Sequence, residues 1–273
     1  MWRIQHRLCI KFVLRFVTPR ASCAAGSCML PAALAGIALI AVDAAVDVAH
    51  AAPRMPPHMT PVTGGPIIID AQGDSTMWGY QTSDAFTRSW QSPNNPPALL
   101  QAALQARFGP HVIVQNNGVP GATLVDRERG TNGYALPYAQ WAATSPARIV
   151  IVNFALNDAD NHLKESPENF RANLVRFIEE SKRAGRIVVL EEPNPVDYAV
   201  NKTIVPRYVA VVDEMAKHYR LALVRQYAYI GAIRNWRSLL IDHVHPTDAL
   251  YRLKAQRQRE VLEPIVAKLA SRK

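Results

Sequence analysis

The sequence predicts an α/β protein, an open and mainly parallel five-stranded sheet with helices on both faces, and three observations predict it. Five short, β-branched, apolar runs recur at residues 67–70, 112–115, 149–154, 187–190 and 221–224, as expected of strands covered on both faces. Helical patterns lie between them, and that alternation is the signature of parallel strands joined by crossover helices. The chain's unusual polar clusters fall directly after the first three runs, where open α/β sheets expose ligand sites.

The first 51 of the 273 residues read as a separate leader. An uncharged run, "MLPAALAGIALIAV" (29–42), is preceded by Arg3, Arg7, Lys11, Arg15 and Arg20 and followed by Ala49-His50-Ala51, the layout of a secretory signal peptide. Asp43 ends the run after 14 residues, short of the roughly 20 needed to span a bilayer, so a cleaved signal is favoured over an N-terminal membrane anchor. Secretion or periplasmic residence is the expectation. All three cysteines, Cys9, Cys23 and Cys28, lie in this leader, so a chain cut after Ala51 has no thiol for a disulfide or a metal.

Cleavage removes five of the 31 basic and two of the 22 acidic residues, leaving 26 against 20, or +6. The excess is scattered and no nucleic-acid-binding motif accompanies it. A basic surface is compatible with loose membrane or envelope association. Residues 52–65, "APRMPPHMTPVTGG", hold four prolines and two glycines and read as an irregular arm. The domain proper is expected over 66–273.

Within it, "GDST" (73–76) follows the first run, "NNGVPGAT" (116–123) the second and "ALND" (155–158) the third. A helix is expected from Ser166 as cap and Pro167 in the first turn, with Phe170, Leu174, Phe177 and Ile178 on one face and Gly185 as its end. Another is expected to begin at Pro206 and carry Val209, Val212, Ala216 and Tyr219 on one side. The last is expected from about Asp248 towards Pro264, after a capping Thr247.

A serine hydroxyl becomes a nucleophile only beside a base, commonly a histidine held by a carboxylate. Ser75 has a candidate base in His245, within "IDHVHPTDALY", and Asp242 stands three residues before it. Attack on an ester also needs donors aimed at the developing oxyanion. The backbone N–H groups of Ser75 and Gly121 and the side-chain amide of Asn157 are the candidates.

These blocks, in this order, resemble the SGNH or GDSL-type hydrolase family of esterases and lipases. The resemblance implies a three-layer α/β/α, flavodoxin-like fold with Ser75 as nucleophile, His245 as base and Asp242 as its partner. It also implies an oxyanion hole from Ser75, Gly121 and Asn157, and no cofactor and no metal. One position departs from the family pattern: Gly-x-Asn-Asp is usual, and here Ala155 stands for the glycine. If that glycine serves an unusual backbone angle, Ala155 would displace Asn157 and slow the reaction.

The expected activity is cleavage of a carboxylic ester through an acyl-enzyme, the substrate being a small-molecule, lipid or acylated-carbohydrate ester. Acyl transfer by the same residues, or a non-catalytic envelope-binding module of this fold, are the alternatives. Ser75 as a helix N-cap is the purely structural reading of the first block. Trp78 and Tyr80 are candidates for lining an acyl or alcohol pocket, shaped by loops at 81–97 and 124–137. His243 and His245, with Asp158, Asp160 and His162, are residue types that can ligate a metal, but a loop histidine beside a catalytic one is more often a bystander, and Glu191 and Glu192 are weaker candidates for the pocket rim.

Overall fold

The computed structural model describes residues 65–83, 86–162, 164–198 and 201–271. The leader, its cysteines and all of the arm but Gly65 lie outside the described residues. The elements run β1 (Ile67–Gly73), α1 (Ser75–Trp78), β2 (Tyr80–Thr82), β3 (Ser89–Gln91), α2 (Pro96–Phe108), β4 (Val112–Gly118), α3 (Leu124–Arg129) and α4 (Tyr138–Thr144). They continue with β5 (Ile149–Asn153), α5 (Leu156–Asp160), α6 (Pro167–Arg183), β6 (Ile187–Glu191), α7 (Asn201–Tyr219), β7 (Ala222–Val224), α8 (Tyr227–Gly231) and α9 (Asp248–Ala270).

Five strands form one parallel sheet in the order β4-β1-β5-β6-β7. The side-chain alternation of each strand divides the core between two faces. Ile67, Ile69 and Ala71 of β1, with Ile149 and Ile151 of β5, pack with Leu100 and Leu104 of α2 and Leu262 and Val266 of α9. Val150, Val152, Val188 and Leu190 pack on the other side with Phe170, Leu174 and Phe177 of α6 and Tyr208 and Val212 of α7. This is the expected α/β/α sandwich. Among the described residues no helix is long and apolar enough to cross a membrane.

The register sets the position of the site. Gly73 pairs with Gly118 on one side and with Asn153 on the other, so β1, β4 and β5 finish level and the three polar blocks leave the sheet from one edge. The chain passes from β1 to β4 on one flank and then to β5 on the opposite flank, which makes the end of β1 a topological switch point. A Cβ at Gly73 would stand 2.6 Å from the Asn153 carbonyl oxygen and 2.7 Å from Met77 Cβ. Only glycine lets α1 fold back so tightly over the strand end.

Several expectations need correction. β1 and β4 run three residues beyond their apolar runs because Asp70, Gln72 and Asn117 satisfy one another inside the protein. Gln72 Nε2 lies 2.8 Å and Asn117 Nδ2 2.5 Å from Asp70 oxygens, and buried Arg127 donates from Nε to Gln72 Oε1 at 2.6 Å. Pro206 does not begin its helix but lies inside α7. The preceding turn carries Val205, fully buried in the core, and that burial outweighs the hydrogen bond a proline forfeits. α9 likewise passes through Pro264 to Ala270, with Val266 and Leu269 still buried. The segment 81–97 is not simply a loop: it holds most of an antiparallel β2–β3 ribbon and the start of α2. The segment 124–137 contains α3.

Candidate active site

At the end of β1 the chain turns through Asp74 into α1. Asp74, not Ser75, caps this helix: its Oδ1 accepts the Thr76 N–H at 2.8 Å and the Thr76 hydroxyl at 2.9 Å. Ser75 is thereby freed of the capping role. It is the first residue of the helix, where the backbone N–H has no intrahelical acceptor, and its Oγ lies 2.9 Å from His245 Nε2. Burial holds the Asp74 carboxyl above the usual carboxylate range, opposed chiefly by the two bonds from Thr76.

His245 sits in the loop between a 3-10 turn (Trp236–Leu239) and α9, closed by a bridge between Leu240 and Pro246. Its Nδ1 is 2.6 Å from Asp242 Oδ2, and Asp242 Oδ1 accepts the backbone N–H of His245 at 2.7 Å. Burial would raise the Asp242 carboxyl, but the side-chain bond and the charge of His245 outweigh it and leave it below the ordinary value. Neighbouring segments clamp this loop. Asn194 Nδ2 donates to the Val244 carbonyl at 3.1 Å, the Asp197 N–H to the His243 carbonyl at 2.8 Å, and the Tyr198 hydroxyl to the Asp242 carbonyl at 3.3 Å.

The oxyanion candidates come from the two neighbouring strand ends. Gly121 has φ +77°, and the space beside its Cα is open. The turn that carries it is tied to the Ser75 strand by the Val119 N–H, 2.9 Å from the Gly73 carbonyl. Asn157, in the first turn of α5, donates from Nδ2 to the Ala122 carbonyl at 3.0 Å, which leaves its second amide hydrogen without that partner. Ala155 before it adopts φ +126°, a region costly for any residue with a side chain. Buried Asp158 braces this turn, accepting the N–H of Leu124 at 2.9 Å and of Ala155 at 3.1 Å. Burial pushes its carboxyl up to about 7.

The structure therefore brings Ser75, His245 and Asp242 into one hydrogen-bonded line, and the Asn157 amide is bonded to Ala122, the residue after Gly121. Tyr80 is not simply a pocket wall, since its ring centre lies 4.4 Å from that of His245. Trp78 stands behind it at 6.4 Å. His162 Nδ1 lies 3.0 Å from the Ala159 carbonyl and His243 is exposed beside Asp197; among the described residues no three His, Cys, Asp or Glu side chains converge as metal ligands.

Glu191 and Glu192 do not form a rim. Glu191 is fully buried against Lys254 at 3.5 Å and Gln258 at 2.7 Å, and Glu192 accepts from Arg225 and the Tyr227 N–H. Sequence reasoning missed Asp248, whose carboxylate collects Gln81 and Asn94 amides and the Ser92 hydroxyl at 2.7–2.8 Å. The only signal was its place in the first turn of a helix.

Comparison with known proteins identifies the family and the fold. Residues 71–253 match the model of the GDSL-like lipase/acylhydrolase family. No curated protein sequence matches the chain. Among solved structures, a lipase/acylhydrolase from Enterococcus faecalis is 22% identical with a TM-score of 0.61, covering 73% of this chain and 96% of its own. An acetylxylan esterase from Geobacillus stearothermophilus is 17% identical with a TM-score of 0.58, covering 74% and 96%. An aryl esterase from M. smegmatis is 16% identical with a TM-score of 0.54, covering 72% and 100%. At such identities these structures share the fold.

Proposed function

Because the chain belongs to the GDSL-like lipase/acylhydrolase family, we propose that it is a serine esterase that cleaves carboxylic esters through an acyl-enzyme on Ser75. The observation that carries this reading is the unbroken line from Ser75 Oγ through His245 to Asp242, with separations of 2.9 and 2.6 Å. Ser75 Oγ attacks the ester carbonyl carbon as its proton passes to His245 Nε2. The N–H groups of Ser75 and Gly121 and the second amide hydrogen of Asn157 receive the oxyanion. Collapse of the intermediate breaks the bond to the alcohol, which leaves with the proton from His245. A water molecule then gives a proton to the same nitrogen and attacks the acyl carbon; collapse breaks the bond to Ser75 Oγ, which takes the proton back from His245 as the acid leaves. Asp242 keeps the imidazole in the required tautomer and orientation throughout.

The neighbours named for acetylxylan and aryl esters make small-molecule and acylated-carbohydrate esters the first substrates to try. A series of p-nitrophenyl esters of increasing chain length, read with wild type and Ser75→Ala, tests the assignment. Hydrolysis lost in the variant supports it; equal rates in both would remove Ser75 from the chemistry. Export across a membrane belongs to the same reading and rests on the signal-like segment 29–51. N-terminal sequencing of the protein recovered outside the cytoplasm should begin at Ala52, and an intact Met1 would overturn cleavage.

A further inference from the structure

Tyr80 opens β2 directly after Gly79, the residue that ends the helix carrying Ser75. Its ring centre is 4.4 Å from the imidazole centre of His245, with the two planes inclined at 44°. Both nitrogens of that imidazole are already committed, Nδ1 to Asp242 and Nε2 to Ser75. Tyr80 packs tilted against the ring that carries them. The contact is built into the frame: the Tyr251 hydroxyl of α9 donates to the Tyr80 carbonyl at 2.8 Å, and Gln81 Nε2 donates to Asp248 at the start of the same helix at 2.8 Å. Ring and imidazole are thus held through one helix.

We propose that Tyr80 is a positioning residue for His245, its ring setting the tilt of the imidazole and its π face favouring the positive charge that the imidazole acquires on taking the Ser75 proton. The inference rests on the esterase reading. A cation within about 6 Å of an aromatic centroid is attracted by the ring quadrupole. That attraction appears only once the proton has moved, so it stabilises the transition state for attack more than the resting enzyme. A residue serving only to fill space would act equally on both.

The other charged and titratable groups around His245 come from four directions. Asp242 lies on its own loop. Asp74 interacts with it from the end of β1, with buried Lys254 of α9 close to Asp74. Asp248 and Tyr251 belong to α9, which opens three residues after His245 and bonds Gln81 and the Tyr80 carbonyl, and Asp197, paired with Arg237 and near His243, lies across the loop with Tyr198. None of these changes when Tyr80 is replaced, so a shift on replacement reports the ring.

The test is the rate at which a fluorophosphonate probe labels Ser75, followed from pH 4 to 9 in the full chain for wild type, Tyr80→Phe and Tyr80→Leu. Leucine keeps apolar bulk and removes the π face. It should move the acid limb of the profile to lower pH by about half a unit to one unit, with a several-fold slower plateau. Tyr80→Phe should keep the wild-type limb. An unshifted limb in Tyr80→Leu, or an equal shift in Tyr80→Phe, would overturn the proposal. Should circular dichroism show Tyr80→Leu unfolded, a set of Tyr80→fluorophenylalanine variants decides it, because added fluorine weakens the face without changing the shape. The limb must then move stepwise with fluorine content, and a constant limb refutes the idea. Wild type left unlabelled at every pH would overturn the esterase reading itself, an outcome distinct from a labelled enzyme with an unmoved limb.

Discussion

Two neighbouring strands, β1 and β5, end level with each other, and the turns that leave them are built on different terms. After β1, Gly73 permits a close approach and Asp74 caps the short helix locally, so Ser75 is presented by a turn in which glycine sits where it is needed. After β5, Ala155 takes φ +126° and the turn survives because Asp158 reaches out to two backbone N–H groups, one of them 34 residues away. The first turn is relieved within itself. The second is strained and held from outside, and the group it carries is the proposed oxyanion donor Asn157 and not the proposed nucleophile.

That contrast can be broken or sharpened by experiment. The largest effect expected is from Ser75→Ala, a loss in kcat of about 10⁴-fold or more with unchanged thermal stability; steady-state rates on the best ester decide it. Asn157→Ala should cost about 10²- to 10³-fold in kcat with little change in KM, and a change confined to KM would remove it from the oxyanion hole.

Third is a pH effect of the carboxylate that braces the second turn. The Asp158 carboxyl is raised from 3.8 to about 7 on folding, so the folded state binds more protons than the unfolded state between those values. Its contribution to stability is whole below about pH 4 and is lost as pH rises through about 7, on the order of 2–4 kcal/mol. Urea unfolding from pH 4.5 to 8 should be flatter in Asp158→Asn than in wild type, and parallel curves would contradict the burial argument.

The two smallest effects exchange the residues that distinguish the turns. Gly73→Ala drives a methyl against the Asn153 carbonyl and should destabilise by about 1–3 kcal/mol. Ala155→Gly relieves strain but adds backbone freedom and removes a buried methyl, so a net gain of about 1 kcal/mol or less is expected. Thermal melts of the pair should move in opposite directions. A clear destabilisation in Ala155→Gly would mean that the alanine is not strained.

Much of this architecture was legible because it follows from local chemistry. β-branched runs marked all five sheet strands, and Ser166-Pro167 marked the start of α6. The three blocks after the strands also lay where the level register of β1, β4 and β5 puts them. What escaped was decided by distant partners. Gln72 and Asn117 look like loop residues until Asp70 and Arg127 are seen to satisfy them inside the core. Pro206 and Pro264 look like helix ends until Val205 and Val266 are seen buried beside them. The carboxylate of Asp248 meets Ser92 and Asn94 across more than 150 residues, and no spacing rule links them. Ala155 is a mixed case: its oddity was visible as a substitution, but the positive φ and the Asp158 brace needed coordinates.

The hydrogen bond between Ser75 and His245 joins residues 170 apart in the chain. In time instead of space, the centre is a late event of synthesis and folding. A chain emerging from the ribosome displays its serine long before its histidine, and until α9 arrives the β1 face of the core lacks Leu262, Val266 and Leu269. Contacts of such range slow folding and leave the early strands uncovered meanwhile. Hydrolytic competence should therefore appear only with the docking of α9, which makes activity itself a clock for the last step of folding.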